Sequence, residues 1–317
     1  MAQNLALGID IGGTNTAWGI VTPTAQIIES GSISTTGHGS IENYIAAIKA
    51  AVEPAMQRHG KALFVGVGVG APSANYLTSE IVYAPNMPWH GIIPLGALLQ
   101  QSLGLKCYVN NDANAATIGE MIYGAAKGMK NFILVTLGTG LGSGFVANGQ
   151  MIYGHDGLAG ELVHVIAVRN GRSCGCGRRG CLETYASATG IVKTVEEWLS
   201  DRPDESMLRQ QKGSITSKAI HEAALIGDAL ALEAFDFTAY ILGQTLADAV
   251  AITSPEAIIL FGGLAHAGDL LLKPVKKYME ENMLMIYKNK VAILPSALHG
   301  ADAAILGASS MVWHRHP

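Results

Sequence analysis

The sequence predicts an α/β fold in which one structural unit occurs twice. Short strands joined by glycine- or proline-bearing turns open the chain, and a second strand, glycine-rich turn and strand begin at Phe132. Repetition of one pattern is typical of a duplicated fold. Residues 64–69 and 107–109 form apolar runs of the kind found in strands buried within a parallel sheet. Sheets of this class bind ligands at the carboxyl ends of their strands.

The individual elements follow from periodicity and turn residues. Apolar residues from Ile41 to Val52 lie on one helical face after Ser40 as N-cap, and the sequence leaves open whether Pro54 kinks or ends this helix. Strands are predicted at residues 5–9, 16–22, 26–35, 64–69, 107–109, 132–136, 143–147, 257–261 and 291–294. Helices are predicted at residues 113–123 and 303–313, and residues 189–252 are predicted to be mostly helical.

Length and composition restrict the functional class. A chain of 317 residues predicts about two domains at roughly 150 residues each. A net charge of −4, with 15% charged residues, argues against a basic nucleic-acid surface or a polybasic membrane patch. Hydrophobic residues make up 49% of the chain, which excludes disorder. Glycine is in excess, with 38 residues, and the clusters near Gly8, Gly68, Gly138 and Gly262 are predicted to mark backbone that approaches ligands.

The sequence also predicts a cytoplasmic protein. No Lys or Arg precedes Lys49, so the N-terminus lacks the basic region of a signal peptide. The uncharged stretch at residues 131–155 is interrupted by glycines and polar residues, which makes it a poor membrane helix. Three of the four cysteines lie between Cys174 and Cys181, unlike a secreted disulfide framework.

The first candidate site is the run DIGGTN, at the tip of the first hairpin. Gly12 and Gly13 are predicted to take positive φ and to direct backbone N–H groups toward a phosphate, with Thr14 and Asn15 as side-chain donors. Asp10 beside them is suited to hold Mg²⁺ through water. A plain tight hairpin is the alternative.

A second glycine-rich turn, Gly138-Thr139-Gly140 and the residues after it, follows the same logic. Two such turns favour binding at two ends of a polyphosphate. The turn leads into a strand rather than a helix, which excludes a Rossmann dinucleotide motif. The chain contains no GxxxxGK[ST] run and is therefore not a P-loop protein.

The run NNDAN after the strand at 107–109 is the third candidate. Asp112 is suited to accept the proton of a hydroxyl as that hydroxyl attacks phosphorus. Capping of the following helix by Asp or Asn is the alternative. Both roles are possible only if different residues perform them.

The fourth candidate is a cluster of one histidine and three cysteines. His164 is followed by Cys174, Cys176 and Cys181, with small turn residues between the cysteines. Three thiolates and one imidazole make a closed tetrahedral zinc site. Such a structural site would also fix the nearby Glu161 and Glu183, and the free ring nitrogen of His164, for a polyhydroxylated substrate. Cys107 lies outside the cluster as a small hydrophobic residue.

Two further motifs are weaker. Asn86, near Trp89, offers a donor and an acceptor to a vicinal diol, but by itself this motif is more simply explained by turn chemistry. Gly262 and Gly263 follow a strand and would let an adenosine approach the backbone, with a simple strand-to-helix turn as the alternative.

These motifs together resemble those of the ROK (repressor, open reading frame, kinase) family, and more narrowly its bacterial glucokinases. The resemblance rests on DIGGTN, NDAN, LGTGLGSG, GELVH and CGCGRRGCLE, which occur in this order and cover nearly the whole chain. It implies a two-domain actin-like ATPase fold with an interdomain cleft. The implied division is a small domain of residues 1–115 plus about 300–317, and a larger domain of about 116–299 that carries the zinc motif.

The resemblance also implies residue roles. ATP and Mg²⁺ would be bound by Asp10, Gly12, Gly13, Thr14, Asn15, Gly138, Thr139 and Gly140, with adenosine near Gly262 and Gly263. The hexose would be bound by Asn86, Asn111, Asp112, Glu161, His164 and Glu183, with Asp112 as the base for the 6-hydroxyl. Structural Zn²⁺ would be bound by His164, Cys174, Cys176 and Cys181. A homodimer is implied as well.

The resemblance implies an ATP-dependent sugar kinase that converts glucose to glucose 6-phosphate. N-acetylmannosamine, N-acetylglucosamine, mannose, fructose and allose are alternative acceptors. Val163, Leu264 and Ser143 stand where the family often has glycine, which affects the expected sugar and nucleotide pockets more than the reaction class. A sugar-responsive repressor of the same family is the competing class, and the nine residues before Asp10 and the net charge of −4 argue against it.

Overall fold

A computed structural model describes residues 3–84, 87–211, 213–298 and 302–315. The chain divides into two compact units. Unit 1 comprises residues 1–128, 151–159 and 297–317, and unit 2 comprises residues 129–150 and 160–296. The domain boundaries predicted near residues 115 and 300 stay a prediction.

The secondary structure is numbered in chain order. The strands are β1 Leu5–Ile11, β2 Asn15–Val21, β3 Ile27–Ser34, β4 Phe64–Gly70, β5 Ala74–Asn75, β6 Glu80–Val82, β7 Ile92–Ile93, β8 Cys107–Asn110, β9 Phe132–Leu137, β10 Leu141–Ala147, β11 Gln150–Met151, β12 Ala257–Phe261 and β13 Ala292–Pro295. The α-helices are α1 Ile41–His59, α2 Leu95–Leu103, α3 Asp112–Ile122, α4 Glu183–Ala186, α5 Ala188–Asp201, α6 Ser217–Leu225, α7 Ala229–Thr253, α8 Asp269–Asn282 and α9 Asp302–Arg315.

Unit 1 is built on a five-stranded sheet with the order β3-β2-β1-β4-β8. The first three strands are antiparallel neighbours, whereas β1, β4 and β8 are parallel. Alternate residues of β1, from Leu5 to Ile11, lie in one hydrophobic core with α1 and α2. The carboxyl ends of β1, β4 and β8 therefore lie side by side, where a parallel sheet binds ligands.

The other face of β1 and β4 packs against the closing helix, α9. A Cβ atom at Gly68 would lie 1.9 Å from the carbonyl oxygen of Ala308, and one at Gly8 would lie 2.4 Å from that of Ile305. These two glycines allow the helix backbone to approach the sheet. The prediction that their clusters mark ligand-binding backbone is therefore wrong at these positions, because a strand glycine serves helix packing equally well.

Unit 2 repeats the arrangement with the order β11-β10-β9-β12-β13. β9 is antiparallel to β10 and parallel to β12, which is parallel to β13. The long helix α7 contributes much of the core, in which Phe235 and Leu242 are fully buried. The matching strand orders confirm the predicted duplicated α/β fold.

Not every element was predicted: the helices α2 and α8 and the small sheet β5-β6-β7 had no predicted counterpart. Pro54 lies inside α1, which continues to His59 and therefore does not end at the proline. Among the residues that the structure describes, none of the helices combines the length and the apolar character needed to cross a membrane.

Candidate functional site

Polar residues of unit 1 gather at the carboxyl ends of three neighbouring strands. Asp10 of β1 pairs with Gly70 of β4, which in turn pairs with Asn110 of β8. A Cβ atom at Gly70 would lie 3.5 Å from Asp10 Oδ1 and 3.9 Å from the Cα of Asp112. Gly70 therefore lies between the Asp10 carboxylate and the start of α3, and adds no side chain there.

The Asp10 carboxylate is in an unfavourable electrostatic environment. Burial, and to a smaller extent the negative charge of Asp112, raises the pKa of Asp10 to about 6. A half-buried carboxylate that faces another acid is stabilised by a bound cation, and Mg²⁺ prefers carboxylate and water oxygens. The residues present therefore fit the predicted magnesium site.

The first glycine-rich turn joins β1 to β2. Gly12 N–H donates to the carbonyl oxygen of Asn15 (2.9 Å), and Thr14 accepts a hydrogen bond from Thr35 N–H (2.8 Å). Gly12 does not take the predicted positive φ; a Cβ there would instead lie 3.1 Å from the Asn15 carbonyl oxygen. Close approach of the hairpin backbone is thus the reason for glycine at this position.

The N-cap and the exposed acid of α3 are different residues. Asn111 Oδ1 accepts a hydrogen bond from Asn114 N–H (2.7 Å) and caps the helix. Asp112 is the first helical residue, and its side chain is exposed. Its Oδ1 accepts a hydrogen bond from the adjacent Ala113 N–H (2.8 Å). Because Asn111 performs the capping, Asp112 is available for the predicted role as a base.

The predicted sugar loop is anchored in the core of unit 1. Met87 is buried there, and the ring of Trp89 lies 4.5 Å from that of Tyr44. The Tyr44 hydroxyl is hydrogen-bonded to Thr16 (2.5 Å), directly after the first glycine-rich turn. Asn86, the predicted sugar ligand in this loop, lies outside the described residues.

The second glycine-rich turn, between β9 and β10 in unit 2, is held on two sides. Gly138 and Thr139 accept hydrogen bonds through their carbonyl oxygens from Ala188 N–H (2.9 Å) and the Thr189 hydroxyl (2.9 Å), at the start of α5. Glu183 Oε2 accepts from Leu141 N–H at 3.3 Å. The glycines at 138 and 140 do not take the predicted positive φ. A Cβ at 140 would lie 2.8 Å from Glu183 Oε2, so a side chain at this position would displace that carboxylate.

The Gly262 turn lies against the same end of the sheet. Gly262 has a φ of +102°, and a Cβ atom there would lie 2.8 Å from the carbonyl oxygen of Leu137, the last residue of β9. Apart from its two neighbours in the chain, no atom of the described residues lies within 4 Å of the Cβ position of Gly263. Leu264 is buried in the core of unit 2. The structure thus brings the Gly138 turn and the Gly262 turn together at neighbouring strand ends, as expected for a site that uses both.

The predicted zinc ligands come together in unit 2. One ligand atom from each of His164, Cys174, Cys176 and Cys181 lies within 4.8 Å of all the others. Cys176 Sγ is 3.6 Å from Cys181 Sγ, and Cys174 Sγ is 3.7 Å from His164 Nδ1. A tetrahedral ion with Zn–S bonds of about 2.3 Å separates two sulfurs by about 3.8 Å. The donor set and its spacing therefore fit structural zinc.

The thiols differ in how readily they lose a proton. Burial raises the pKa of Cys181 to about 12 and also raises that of Cys174. A hydrogen bond from the Arg178 backbone lowers the pKa of Cys176. Since a bound metal deprotonates its thiol ligands, occupancy of this site is coupled to proton release.

Arg172 fixes the metal-binding loop to the helices behind it. Its side chain is 11% exposed, and its guanidinium donates to Glu197 Oε1 (2.9 Å), the Thr184 carbonyl oxygen (2.8 Å) and the Thr194 hydroxyl (3.0 Å). The same group lies 4.5 Å from the centre of the Tyr185 ring. The loop is therefore attached to α4 and α5 independently of a metal.

The predicted sugar ligands of unit 2 have unequal surroundings. Glu161 is exposed, and His164, which turns Nδ1 toward Cys174, keeps Nε2 for a second partner. Glu183 contacts the second glycine-rich turn, and its Oε1 also lies 3.7 Å from Cys174 Sγ.

Two residues that stand where the family often has glycine also lie in unit 2. Val163 is buried in its core, and the Ser143 hydroxyl donates to the Gly160 carbonyl oxygen at 2.5 Å.

Comparison with known proteins places this arrangement in a family. The model of the ROK family matches residues 6–315. The chain belongs to the ROK family. It is 35% identical, over 98% of its length, to a glucokinase of Halalkalibacterium halodurans, of which it covers 96%. It is 29% identical to a xylose repressor of Bacillus spizizenii, over 78% of this chain and 61% of the repressor.

A solved ROK structure has the same fold. The ROK glucokinase of Streptomyces griseus, in complex with glucose and AMPPNP, aligns with a TM-score of 0.80 at 34% identity, covering 97% of this chain and 99% of that one. This similarity confirms the expected two-domain actin-like ATPase fold.

Sequence reasoning about this ROK protein missed two residues. Arg172 fixes the metal loop, and Tyr153 accepts a hydrogen bond from Asn110 (3.1 Å). Both act on residues far along the chain, and their local sequence carries no corresponding signal. Gly70, by contrast, belongs to the predicted glycine cluster near Gly68.

Proposed function

We propose that the protein is an ATP-dependent hexose kinase that phosphorylates the 6-hydroxyl of glucose. The observation that carries this proposal is the pair of acids in unit 1. Asp112 is exposed and not needed as a cap, while Asp10 is half-buried beside it with its pKa raised to about 6. One acid is thus suited to accept a proton and the other to favour a cation, the two requirements of phosphoryl transfer to an alcohol.

In the proposed reaction, Asp112 accepts the proton of the sugar 6-hydroxyl. The hydroxyl oxygen forms a bond to the γ-phosphorus of ATP as the bond to the ADP oxygen breaks, giving hexose 6-phosphate and ADP. Gly12, Gly13 and the other residues of the two glycine-rich turns bind the phosphates, with adenosine near Gly262 and Gly263. Asp10 would hold Mg²⁺, which neutralises charge on the phosphate oxygens when bound.

The sugar is proposed to be held by Asn86, Asn111, Asp112, Glu161, His164 and Glu183. Carboxylates and amides accept and donate hydrogen bonds to neighbouring hydroxyls of a pyranose. For Asn111, capping of α3 occupies Oδ1, so the proposed contact with sugar uses its Nδ2 group. For His164, zinc on Nδ1 would fix the ring and leave Nε2 as an N–H donor.

Glucose is favoured as acceptor by the relatives. The glucokinase of Halalkalibacterium halodurans is covered over 96% of its length, and the similar Streptomyces griseus enzyme holds glucose and the ATP analogue AMPPNP. The deciding experiment measures ATP-dependent phosphorylation of glucose, mannose, fructose, allose, N-acetylglucosamine and N-acetylmannosamine, with polyphosphate as an alternative donor. We expect the highest kcat/KM with glucose and ATP. A higher kcat/KM for another sugar would reassign the acceptor, and no phosphorylation of any sugar would refute the kinase.

Similarity to xylose repressors supports a second candidate, a sugar-responsive regulator. The glucokinase of Halalkalibacterium halodurans is the more similar relative: it is 35% identical and covered over 96% of its length, compared with 29% and 61% for the xylose repressor. A gel-shift assay at physiological salt distinguishes the two, since specific DNA binding released by a sugar would favour the regulator.

A further inference from the structure

Asn110, the last residue of β8, is a fully buried amide with three hydrogen bonds. Its Oδ1 accepts from Asn111 N–H (3.0 Å) and from Asn114 Nδ2 (3.1 Å), both in the first turn of α3. Its Nδ2 donates to the hydroxyl oxygen of Tyr153 (3.1 Å). One side chain therefore connects the start of α3 to a segment that follows 43 residues later.

These partners set the orientation of the Asn110 amide. If the amide were reversed, its NH₂ group would face two donors, Asn111 N–H and the Asn114 NH₂ group, at a fully buried position. An unpaired buried donor is costly, which disfavours the reversed state. In the observed orientation the Asn110 NH₂ group donates to the Tyr153 hydroxyl oxygen, so the donor side of the amide is also paired.

Tyr153 is itself held firmly within unit 1. Its ring stacks on that of Tyr76, with centres 4.1 Å apart and an angle of 2° between planes. The segment that carries it is fixed by Asn75 Nδ2, which donates to the Asp156 carbonyl oxygen (2.7 Å). Burial raises the pKa of Tyr153 to about 12, so the hydroxyl stays protonated and neutral at physiological pH.

We propose that Tyr153 is a positioning residue for phosphoryl transfer. Its hydroxyl fixes the Asn110 amide, which fixes the first turn of α3 and thereby the direction of the Asp112 carboxylate. Tyr153 touches no reacting atom in this assignment. The inference rests on the proposed function, because it needs Asp112 to act as the base.

The test compares the variants Tyr153→Phe, Asn110→Ala and their combination. Tyr153→Phe keeps the stacked ring and removes only the hydroxyl, and with it the acceptor for Asn110 Nδ2. Tyr278→Phe is the matched control, because it also removes one hydrogen-bonded tyrosine hydroxyl, here the donor to Asp236 in unit 2 (2.7 Å). For each variant, kcat, the KM for hexose, the KM for ATP and the unfolding midpoint are measured.

We expect Tyr153→Phe to lower kcat by about 10- to 100-fold, since small misplacement of a catalytic group has effects of this size. Both KM values should stay within about twofold of the wild type, because in this proposal Tyr153 touches neither substrate. The double variant should be no slower than Asn110→Ala alone, since Tyr153 acts through Asn110. Tyr278→Phe should behave as the wild type.

Several outcomes overturn the inference. One is a kcat for Tyr153→Phe equal to that of Tyr278→Phe. Another is a double variant whose loss of kcat is the product of the losses in the two single variants. If Tyr153→Phe fails to fold, Asn110→Ala decides: unchanged kcat excludes the connection, and reduced kcat at unchanged KM supports it. A wild-type chain that phosphorylates no hexose refutes the proposed function and this inference together, whereas an active wild type with an unimpaired Tyr153→Phe refutes only the inference.

Discussion

The two units share a strand order but not the chemistry at their strand ends. In unit 1 the penultimate residue of β1 is Asp10, which pairs with Gly70. In unit 2 the penultimate residue of β9 is Thr136, which pairs with Phe261. Equivalent places in two copies of one sheet thus carry an acid in one copy and a neutral residue in the other.

The difference shows that the topology fixes where a site can form, while the residues at that place are free to specialise. Unit 1 supplies carboxylates and amides, which are suited to proton and cation chemistry. Unit 2 supplies backbone, in turns such as that at Gly140, together with the cysteine cluster. Glu183 connects these two parts of unit 2, because its carboxylate contacts Leu141 N–H and lies near Cys174.

The largest effect is expected from Asp112→Asn in unit 1. The amide cannot accept the hydroxyl proton, so kcat should fall by about 10²- to 10⁴-fold, the usual contribution of a general base. Hexose affinity, measured by calorimetry, should change little because the side chain keeps its shape. Asp201→Asn, at the exposed end of α5, is the control and should keep full activity. Near-normal turnover of Asp112→Asn would contradict its assignment as the base.

In unit 2, removal of a metal ligand should affect stability most. Wild-type protein should contain about one zinc per chain by atomic absorption, and Cys181→Ser should contain none. Its free energy of unfolding should fall by about 4–5 kcal/mol, the upper end for single substitutions and typical of a lost structural metal. Cys107→Ser, outside the cluster, should retain the zinc. Equal metal content in both variants would exclude the cluster as the zinc site.

Asp10 in unit 1 should also give the activity a dependence on pH. With a pKa of about 6, Asp10 is protonated in part below that pH and then holds Mg²⁺ poorly. We expect kcat/KM for ATP at low Mg²⁺ to fall as the pH decreases below about 6, and Asp10→Asn to lack this limb. Higher Mg²⁺ should move the limb to lower pH.

Protonation of Asp10 should have opposite effects on activity and on stability: it should lower the activity but stabilise the fold. Its folded pKa is above the unfolded value of 3.8, so between about pH 4 and pH 6 the folded state binds more protons than the unfolded state. Without Mg²⁺, the Asp10 contribution to stability should therefore decrease as the pH rises from 4 to 6 and be constant above that. Chemical denaturation across this range, compared with Asp10→Asn, measures the contribution. An identical pH dependence in the variant would contradict the raised pKa.

The sequence predicted those parts of the site that have a local signal. Asp10, Asp112 and the cysteine cluster stand in short runs whose residue types already indicate their chemistry, and β12 was predicted with its observed bounds. Long-range partners have no such signal. Tyr153 meets Asn110 across 43 residues, and Arg172 meets Glu197 across 25.

Local sequence rules do not decide two features of this structure. Pro274 is a helix breaker by propensity, yet it lies inside α8, whose apolar face packs into the core of unit 2. Glycine in a turn suggests positive φ, yet Gly12 and Gly140 do not have it and instead lie where a Cβ atom would make close contacts. Tertiary packing decides both cases, and it depends on partners that a window of sequence does not contain.

The smallest effect is expected in the second glycine-rich turn, where Gly138 and Gly140 differ in what lies near their Cβ positions. In Gly140→Ala the new Cβ would lie 2.8 Å from Glu183 Oε2, whereas in Gly138→Ala the nearest atom would be 3.8 Å away. We expect Gly140→Ala to displace the Glu183 carboxylate, to break its hydrogen bond from Leu141 N–H and so to lower the free energy of unfolding by about 1 kcal/mol, the contribution of one such bond. Gly138→Ala, which needs no change of φ, should stay within about 0.5 kcal/mol of the wild type. Equal losses in urea denaturation would mean that backbone conformation, rather than contact with Glu183, selects glycine in this turn.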